Sequence, residues 1–453
     1  MIEATCSRRD AASLIFDLPG YYVIDAVDLP CGGRRVKVQA EVLEDGCPGC
    51  GVMSARVHSW TQQRVKDIAV GGDRPVVVVR KPRLVCAERA CGRKTFTQLS
   101  DQLPFRARCL TRLREAAAEA VIASGRAVDE VGEDLGVAWW TVQDAVNAAA
   151  VVLPPVDDLH VHHLGIDWGY LPLAGAHRYR RVRFFRDPES GSWARVEPWM
   201  TTFVNVACGQ VLGVVDGRDT AAVAGWLTAR DPAWRDRVQV VAIDPSTTFR
   251  KAITTALPKA RISVDPFHLV QLANLMVTRV RQRLAQANHG RRGTTVDPAW
   301  THRLLLLRGY DTLTERAQAR LQATFRNDDP THELSAAWGV KEQLRRLLNS
   351  ADAATAEAER KRLGCFVIAA DMPETWRLWH TVNTWWAQIL TLIATGVTNA
   401  RTEAANTSIK QIKRTGRGYR NPEHYRARIL LRSARRSRRR QRLTQQGTTL
   451  NCE

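Results

Sequence analysis

The alternation of hydrophobic and polar positions changes character several times along the chain. Residues 18–105 are rich in turn formers, and apolar residues alternate there with polar ones, which is typical of β-strands. From about 110 to 150 the apolar residues recur every three or four positions, as on one face of a helix. Strand-like and helix-like runs then alternate from Leu159 to Val264, and residues 267–394 are almost entirely helical in period.

These patterns predict individual elements. The predicted strands of the first region are Tyr21–Asp28, Arg35–Glu44, Val65–Val70 and Pro75–Val79. Those of the alternating region are His162–Ile166, Arg181–Phe185, Thr201–Ala207, Val211–Val215, Val238–Ile243 and Ile262–Val264, with helices at Ala221–Arg230 and Thr248–Ala256. Polar stretches at Asn288–Thr295 and Arg326–Thr331 predict breaks in the helical region. Arg426–Arg442 carries nine arginines and predicts a helix with a charged face or a solvated tail.

The composition of the chain indicates that it binds a polyanionic partner. The chain of 453 residues has a formal net charge of +20 at pH 7, and only 10 of its 66 basic residues are lysine. Arginine binds phosphate through a bidentate fork, although GC-rich coding also raises the arginine content. A hydrophobic share of 45% is enough for packed cores. The chain has neither a long apolar run nor a leader-like start, so we expect a cytoplasmic protein without a membrane span.

Four of the ten cysteines form two close pairs. Cys47-Pro-Gly-Cys50 is followed after 35 residues by Cys86 and Cys91. Two such pairs, each in a turn, supply the four thiolates of a structural Zn²⁺ site, with free thiols as the alternative. His58 is an alternative ligand, although a surface histidine is the simpler interpretation. The remaining cysteines are interpreted as reduced thiols: Cys6, Cys31, Cys109, Cys208, Cys365 and Cys452.

Residues 128–149 have the pattern of two short helices joined by a tight turn. Val128–Leu135 and Ala138–Ala149 each have one apolar face, and Gly136 between them suits a left-handed turn. In a helix-turn-helix motif, the first residues of the second helix approach base edges in the major groove of DNA. The candidate base contacts are Trp139, Thr141, Gln143 and Asp144, with Trp140 packing inward. The alternative is a plain helical hairpin within a core.

Asp167 and Asp244 each end an apolar, strand-like run. A single carboxylate in such a place is more often a cap or turn residue, and Asp244 could cap the helix that starts near Thr248. Two aspartates on neighbouring strands and a third carboxylate on a helix are, however, what two-metal phosphoryl chemistry requires. Mg²⁺ and Mn²⁺ take such oxygen ligands.

Glu403 is the candidate third carboxylate. On a helix through residues 399–414, one face carries Glu403, Asn406, Lys410 and Lys413. The opposite face is apolar and suits packing on a sheet. An acidic residue followed by two lysines could bind a metal ion and then follow a phosphate backbone. A solvated charged face is the alternative.

Taken together, these motifs resemble those of bacterial insertion-sequence transposases of the ISL-three group, over nearly the whole chain. The matching segments, in order, are Cys47–Cys50 with Cys86 and Cys91–Phe96, Gly136–Val142, Gly165–Asp167, Asp265–His268, and Asn399–Arg414 with Gly416, Gly418, Tyr419 and Arg420. One position departs from the pattern, because relatives often carry an acidic or small polar residue where this chain has Trp168.

The resemblance implies a retroviral-integrase-like ribonuclease-H fold with an all-helical insertion before the last glutamate. It implies DNA cleavage and strand transfer by Asp167, Asp244 and Glu403 with two Mg²⁺ or Mn²⁺ ions. Asp244 and Asp265 both end strands; a strand count that takes 201–215 as an extension of the third strand favours Asp244. Supporting roles then go to Asp265, His268, Asn406 and Lys410.

The predicted organisation is multidomain α/β. Its segments are a zinc ribbon (1–105), a helix-turn-helix domain (106–155), the first part of the ribonuclease-H-like core (156–270), a helical insertion (271–394), the last helix of the core (395–425) and a basic tail (426–453). Further DNA contacts are expected from Lys413, Arg414, Arg435, Arg436, Arg438, Arg439 and Arg440.

The expected partners are double-stranded DNA, as element ends and as target, and a second copy of the chain, because two ends are handled together. Such a protein would work at the bacterial nucleoid. Two alternatives stay open from the residues. One is a DNA-binding regulator that has lost catalysis, and the other is a ribonuclease-H-type nuclease without strand transfer.

Overall fold

The computed structural model describes residues 10–30, 32–169, 184–186, 191–195, 199–416, 418–419 and 421–449, without the side chains of 184–186, 193–195 and 440–449. Cys6, Cys31, Cys452 and most of the predicted strand Arg181–Phe185 lie outside the described residues. The chain divides near Pro154 into two compact units, an N-terminal and a C-terminal unit. Among the described residues, no helix is long and apolar enough to cross a membrane.

The N-terminal unit contains a five-stranded sheet and a small hairpin. Its strands are β1 (Tyr21–Asp28), β2 (Arg34–Ala40), β3 (Asp45–Gly46), β4 (Met53–Ser54), β5 (Val57–Lys66), β6 (Val76–Val85) and β7 (Thr95–Thr97). The order is β1-β2-β6-β5 with β7 also on β6, while β3 and β4 form the hairpin. Only β2 and β6 are parallel. The prediction of a strand at Val65–Val70 was wrong, because β5 begins at Val57 and ends at Lys66, just before the buried Asp67.

Four helices belong to the same unit. They are α1 (Ala11–Phe16), α2 (Thr111–Ile122), α3 (Val128–Leu135) and α4 (Trp139–Val151). Gly136 ends α3 with a φ of 62°, as its predicted turn role requires. The guanidinium of Arg112 on α2 bonds the buried carboxylate of Asp67 and the carbonyl of Phe16. This contact joins helices and sheet, which explains why one compact unit spans the predicted boundary at 105/106.

The C-terminal unit is built on a second five-stranded sheet. The strands from here on are β8 (His163–Gly169), β9 (Phe184–Arg186), β10 (Trp193–Arg195), β11 (Met200–Asn205), β12 (Gln210–Asp216), β13 (Val240–Ile243) and β14 (Arg261–Val264). The sheet order is β12-β11-β8-β13-β14, and β9 and β10 pair separately. β11 is antiparallel to both β12 and β8, and β8, β13 and β14 are parallel. The second and third strands of the sheet are therefore β11 and β12, and not the predicted strand at 181–185.

Helices surround this sheet. Those between the strands are α5 (Thr220–Thr228), α6 (Pro232–Arg237) and α7 (Thr247–Ala256); those after β14 are α8 (Pro266–His289), α9 (Pro298–Thr301), α10 (Arg303–Leu307), α11 (Glu315–Asp328), α12 (Glu333–Leu348), α13 (Ala353–Ala370), α14 (Pro373–Thr384), α15 (Trp386–Thr395), α16 (Ala400–Thr415) and α17 (Pro422–Thr449). Short 3₁₀ turns lie at Val156–Asp158 and Tyr310–Thr312. The two predicted polar breaks separate α8 from α9 and α11 from α12.

Three predicted boundaries fall inside continuous helices, and the one at 394/395 cuts α15 one residue before its end. The boundary at 270/271 cuts α8, which starts at Pro266, directly after Asp265, and runs to Gly290 with a φ of 65°. The boundary at 425/426 cuts α17. Tyr425 and Ile429 of α17 are buried in one cluster with Val211 and Ile409, so this segment is a helix that packs on the sheet and not a solvated tail.

Candidate active site and cysteine cluster

The register of the second sheet places Asp167 beside Asp244. Ile166 on β8 pairs with Ile243 on the parallel strand β13, so the next residue of each strand is an aspartate at the same edge of the sheet. Contrary to the prediction, Asp167 does not end its strand, because β8 continues to Gly169 through pairing with β11. Asp167 is thus held within one antiparallel ladder, just beyond the end of the parallel one.

The Asp167 carboxylate is buried and held by two hydrogen bonds. Asn406 on α16 donates its Nδ2 to Oδ2 at 2.7 Å, and the Trp168 amide donates to Oδ1 at 2.7 Å. Thr202 donates its Oγ1 to Oδ1 of Asn406 at 2.8 Å, which fixes the orientation of that amide. Burial raises the pKa of Asp167, while these donors act in the opposite direction. Asn406, predicted as a supporting residue, therefore lies in direct contact with Asp167.

Asp244 is the most strongly perturbed carboxylate of the group. Burial first, and then the negative charge of Asp167, raise its pKa to about 7. Asn399 donates its Nδ2 to Oδ1 of Asp244 at 3.2 Å, and the other oxygen lies 3.1 Å from Nε2 of His268. The alternative role as a helix cap is excluded, because Ser246 caps α7 through the Phe249 amide. The Asp244 carboxylate is left for the site.

His268 connects the remaining acidic groups. Its Nδ1 lies 3.2 Å from Oδ2 of Asp265 and 3.9 Å from Oε1 of Glu403. The hydrogen bond with Asp265, followed by the charges of Asp244 and Asp265, raises the pKa of His268. The other oxygen of Asp265, Oδ1, accepts a hydrogen bond from the backbone N–H of Asn399 at 3.4 Å. Both oxygens of Asp265 are thus occupied by groups of the chain itself.

Glu403 reaches the site from helix α16. Its side chain is about two-fifths exposed, and burial followed by the negative charge of Asp265 raises its pKa. The apolar side of α16 packs as predicted, with Ala405, Ile409 and Ile412 buried against strands of the sheet. Lys410 and Arg414 are exposed further along the helix. Lys413 is partly buried, which lowers the pKa of its ammonium.

Gly165 allows α16 to approach the central strand. A Cβ at this position would collide with Oγ1 of Thr402 and lie within 3.1 Å of Val206 and Asn399 side-chain atoms. Thr402 is fully buried, and its Oγ1 has no hydrogen-bond partner among the described residues. The absence of a side chain at 165 therefore sets the distance between the strand of Asp167 and the helix of Glu403.

We predict that Gly165→Ala displaces α16 and destabilises the protein by roughly 1–3 kcal/mol, the usual cost of overpacking a core. The melting temperature measures this effect. Gly225→Ala is the matched control, because a Cβ on that α5 glycine meets no atom within 4 Å. Adding Thr402→Ala to Gly165→Ala should restore stability by removing the collision. A Gly165→Ala protein as stable as the Gly225→Ala control contradicts this packing.

The residues present fit divalent cations. Oxygen-rich, partly buried clusters are the sites that Mg²⁺ and Mn²⁺ prefer. Ligand atoms of Asp244, Asp265 and His268 lie within 4.8 Å of one another. This grouping differs from the predicted triad, because Asp265 takes part in it and Asp167 and Glu403 do not. Asp244 belongs to both sets, and the raised carboxylate pKa values are typical of acidic groups arranged for a cation.

Several residues of this site were missed by sequence analysis. Asn399 bonds Asp244, the Ile166 carbonyl and, through its backbone, Asp265. The sequence indicated Asn399 only as the first residue of the segment Asn399–Arg414. Thr202 lies in an apolar strand, where nothing in the local pattern marks it. Its role depends on the pairing of β8 with β11, which sets Thr202 opposite Asp167.

The four paired cysteines meet at one point of the N-terminal unit. Sγ of Cys47 lies 3.9 Å from Sγ of Cys91, and Sγ of Cys50 lies 3.5 Å from Sγ of Cys86. Zinc–sulfur bonds of about 2.3 Å in a tetrahedron put sulfurs roughly 3.8 Å apart. Backbone donors at Gly49 lower the pKa of Cys47 to about 7. The cluster therefore fits zinc, and the exposed His58 is not part of it.

The residues predicted at the start of α4 differ in exposure. Trp139 is 37% and Trp140 69% exposed, so Trp140 does not pack inward as predicted. Their rings are 4.8 Å apart in an edge-to-face contact. Asp144 is exposed and Thr141 partly so. Gln143 is only 4% exposed and bonds Asn147, because it lies on the buried face of α4, so its prediction as a base contact is not compatible with this structure.

The arginines of α17 are divided between the core and the surface. Arg428 is buried and donates to the Tyr419 hydroxyl at 2.8 Å. Four of the arginines predicted to contact DNA are exposed: Arg435, Arg436, Arg438 and Arg439. The side chain of Arg440 lies outside the described part of the chain.

Comparison with known proteins gives two family matches. The model for DDE transposases of the ISL3 group, described as a transposase, matches residues 191–429, more than half of the chain. This segment includes Asp244 and Glu403 and begins after Asp167. The second match is the zinc finger of transposases IS204, IS1001, IS1096 and IS1165, at residues 44–91. It contains all four clustered cysteines.

A curated relative and a solved structure were also found. The transposase for insertion sequence element IS1001 of Bordetella parapertussis is 26% identical over 400 residues, which are 84% of this chain and 86% of the relative. The Drosophila P element transposase strand transfer complex is 9% identical, with a TM-score of 0.36 over 71% of this chain and 91% of that one. The extent of the family match shows that this chain belongs to the ISL3 family of transposases and carries its zinc-ribbon domain.

Proposed function

We propose that this transposase binds the terminal inverted repeats of its element and cuts and joins DNA with Asp167, Asp244 and Glu403. The observation that carries the proposal is the in-register placement of Asp167 and Asp244, with Glu403 reaching the same group through His268. Asp244 follows β13, the strand that pairs with β8, whereas Asp265 follows β14, one strand further from Asp167. We therefore assign Asp244 as the second ligand.

The fold supports this assignment. Three antiparallel strands followed by two parallel ones, in the order β12-β11-β8-β13-β14, agree with a ribonuclease-H-like core. The helices α8 to α15 lie in sequence between β14 and α16, where the family pattern has an all-helical insertion. We propose that this is the retroviral-integrase-like arrangement, interrupted before its last glutamate.

Asp167, Asp244 and Glu403 would hold two Mg²⁺ or Mn²⁺ ions. When bound, such a pair activates the attacking oxygen and stabilises the leaving one in an in-line displacement. The chain's own residues prepare this arrangement. Asn406 and Thr202 keep the Asp167 carboxylate turned toward the site, and Asn399 keeps Asp244 in place. The neighbouring carboxylates raise the pKa of His268, which favours its protonated form among them.

DNA binding is proposed for two surfaces. The first is the start of α4, which together with α3 and Gly136 has the geometry of a helix-turn-helix. The second is the exposed arginine side of α17. Contacts between arginine and DNA phosphates do not depend on the base sequence, and they weaken steeply as the salt concentration rises. Because two element ends are joined in one reaction, we propose a homodimer or larger assembly on DNA.

We predict that Trp140→Ala weakens binding to an element-end duplex about 5- to 150-fold, the loss expected for one base contact worth about 1–3 kcal/mol. Binding to a scrambled duplex should change little. Fluorescence anisotropy at fixed salt measures both. Phe105→Ala is the control, because Phe105 is a comparably exposed aromatic of the same unit (72%). Equal losses on both duplexes would argue against sequence recognition by α4.

The function itself is tested with the wild-type chain. Duplexes that carry the inverted repeats flanking the gene are incubated with the protein, Mg²⁺ and a plasmid target, and the cut and joined products are mapped. We expect cleavage at the element ends and joined products that depend on those ends. Cleavage without end dependence would indicate a nuclease. Binding without cleavage, even with Mn²⁺, would indicate a regulator.

A further inference from the structure

A cleft of about 870 Å³ opens directly beside the carboxylate group of the C-terminal unit. Asp244 and His268 line one part of it, so the cleft and the proposed chemistry share residues. Its volume lies in the range of about 300–1,000 Å³ typical of small-molecule pockets. The catalytic assignment uses only its acidic end and leaves the rest unexplained.

The remainder of the cleft has an aromatic and cationic lining. Trp168 and Arg218 both line it, and Trp168 follows Asp167 in the chain. The Trp168 ring meets the Trp199 ring edge to face at 4.6 Å. The Arg218 guanidinium lies 4.9 Å from the centre of the Trp168 ring and 4.0 Å from that of Trp199. This group of two tryptophans and one arginine, the Trp168 group, is partly exposed and hence able to meet a ligand.

Apolar and polar surfaces complete the cleft. Leu272 and Leu275 of α8 line it and are 38% and 43% exposed. Ser246 and Thr247, at the start of the ten-residue helix α7, line it as well. Amide groups at a helix start favour a phosphate, and leucine side chains favour a flat apolar face. A nucleotide offers both a phosphate and such a face.

The rings and the guanidinium of the Trp168 group favour an unpaired base over a paired one. Aromatic rings and arginine planes bind nucleic-acid bases by stacking on their faces, which a duplex keeps covered. An enzyme can expose a base face by turning the nucleotide out of the duplex. A scissile phosphate at Asp244 would bring its neighbouring nucleotide to this cleft.

We infer that the cleft lined by Trp168 and Arg218 receives one base that is turned out of the DNA next to the scissile phosphate and stacked on Trp168. This inference rests on the proposed function. It goes further by specifying the conformation in which the DNA substrate is bound, with one base outside the duplex. Trp168 would act as a positioning residue, because it holds the nucleotide beside the reacting phosphate without contributing a ligand. This role would explain why the chain has a tryptophan at position 168, where relatives often carry an acidic or small polar residue.

Cleavage kinetics supply the first test. Loss of one stacking contact should slow cleavage of a fully paired element end about 10- to 100-fold in Trp168→Ala. Trp168→Phe should keep most of the rate, and Arg218→Ala, an exposed change, should show a smaller loss. A mismatch at the extruded position lowers the cost of unpairing and should partly restore the Trp168→Ala rate. Trp376→Ala, a 40% exposed tryptophan on α14, is the matched control.

Photocrosslinking supplies the second test and needs no cleavage. Each thymine of the end duplex is replaced in turn by 5-iodouracil, and the complexes are irradiated with Ca²⁺ in place of Mg²⁺. We expect one position to crosslink to the peptide that contains Trp168, with the crosslink lost in Trp168→Ala and kept in Trp376→Ala. A crosslink to Trp168 from no position overturns the inference.

The two proposals fail in different ways. If wild-type protein cuts element ends while Trp168→Ala and Arg218→Ala cut them equally fast, with no mismatch effect, the base-stacking inference is wrong and the proposed function stands. If wild-type protein never cuts but still crosslinks through Trp168, the proposed function is wrong and the base-binding cleft stands. A structural effect alone would slow Trp168→Ala without any rescue by the mismatch.

Discussion

Asp244→Asn is expected to reduce cleavage of element ends by roughly a thousandfold or more, since each 1.36 kcal/mol lost from metal-assisted stabilisation costs a factor of ten. Asp167→Asn and Glu403→Gln should do the same. Each change keeps the shape of the side chain and removes the charge that a divalent ion requires. Binding of the end duplex should stay close to wild type, because the proposed recognition surface lies on α4. Product mapping with Mg²⁺ and with Mn²⁺ measures the loss.

Asp265→Asn separates the two candidate second ligands. Asp265 follows β14, one strand further from Asp167 than Asp244, and its carboxylate holds His268, so we expect slower cleavage but not its abolition. Asp216→Asn is the control, because Asp216 is an exposed carboxylate at the end of β12 in the same sheet. Normal cutting by Asp244→Asn together with an inactive Asp265→Asn would transfer the metal-ligand role to Asp265.

Removal of any one clustered cysteine is expected to abolish zinc binding by the N-terminal unit. Structural zinc contributes an apparent 10–16 kcal/mol to the folding of zinc-finger peptides, so its loss should unfold the surrounding turn. The core that surrounds the cluster is small, with Leu84 and Phe96 as its buried apolar residues. The sheet has a separate core that includes Val38 and Val77. We therefore expect local unfolding of the two cysteine turns and the small hairpin, residues 44–54 and 86–94, with the five-stranded sheet retained.

Metal analysis and hydrogen exchange of Cys50→Ser measure this effect. The wild-type protein should bind one zinc per chain, and the variant close to none, with faster exchange confined to the two cysteine turns and the small hairpin. Cys365→Ser, an exposed cysteine outside the cluster, should behave as wild type. Full zinc content in Cys50→Ser, or two disulfides in the protein isolated without reductant, would contradict the zinc assignment.

Local sequence patterns were sufficient for most elements and for the cysteine cluster. The strand Tyr21–Asp28 was predicted with its observed bounds, and α7 began within one residue of its prediction. These elements are readable because alternation and helical period depend on near neighbours in the chain. Bounds failed where the deciding contact is remote. One example is β8, which extends past Asp167 only because β11 pairs with it.

The candidate carboxylates also depend partly on local sequence and partly on the tertiary structure. The sequence by itself determined which residue types were available: Asp167 and Asp244 after apolar runs, Glu403 on a helix with one apolar face, and four cysteines in two turns. It could not choose between Asp244 and Asp265, since both follow strands. Strand order favours Asp244, because β13 lies between β8 and β14 and brings Asp244 beside Asp167.

Tertiary structure alone decided what supports those carboxylates. Asn399, Thr202 and the cleft at Trp168 come from segments far apart in the chain. The hydrogen bonds of Asn399 and Thr202 need α16 packed on the sheet, and the contact between Trp168 and Trp199 needs β11 beside β8. It also reversed the expected orientation of Trp140 and buried Gln143. A helical pattern gives the period of a face, but the neighbouring helices determine which face is covered.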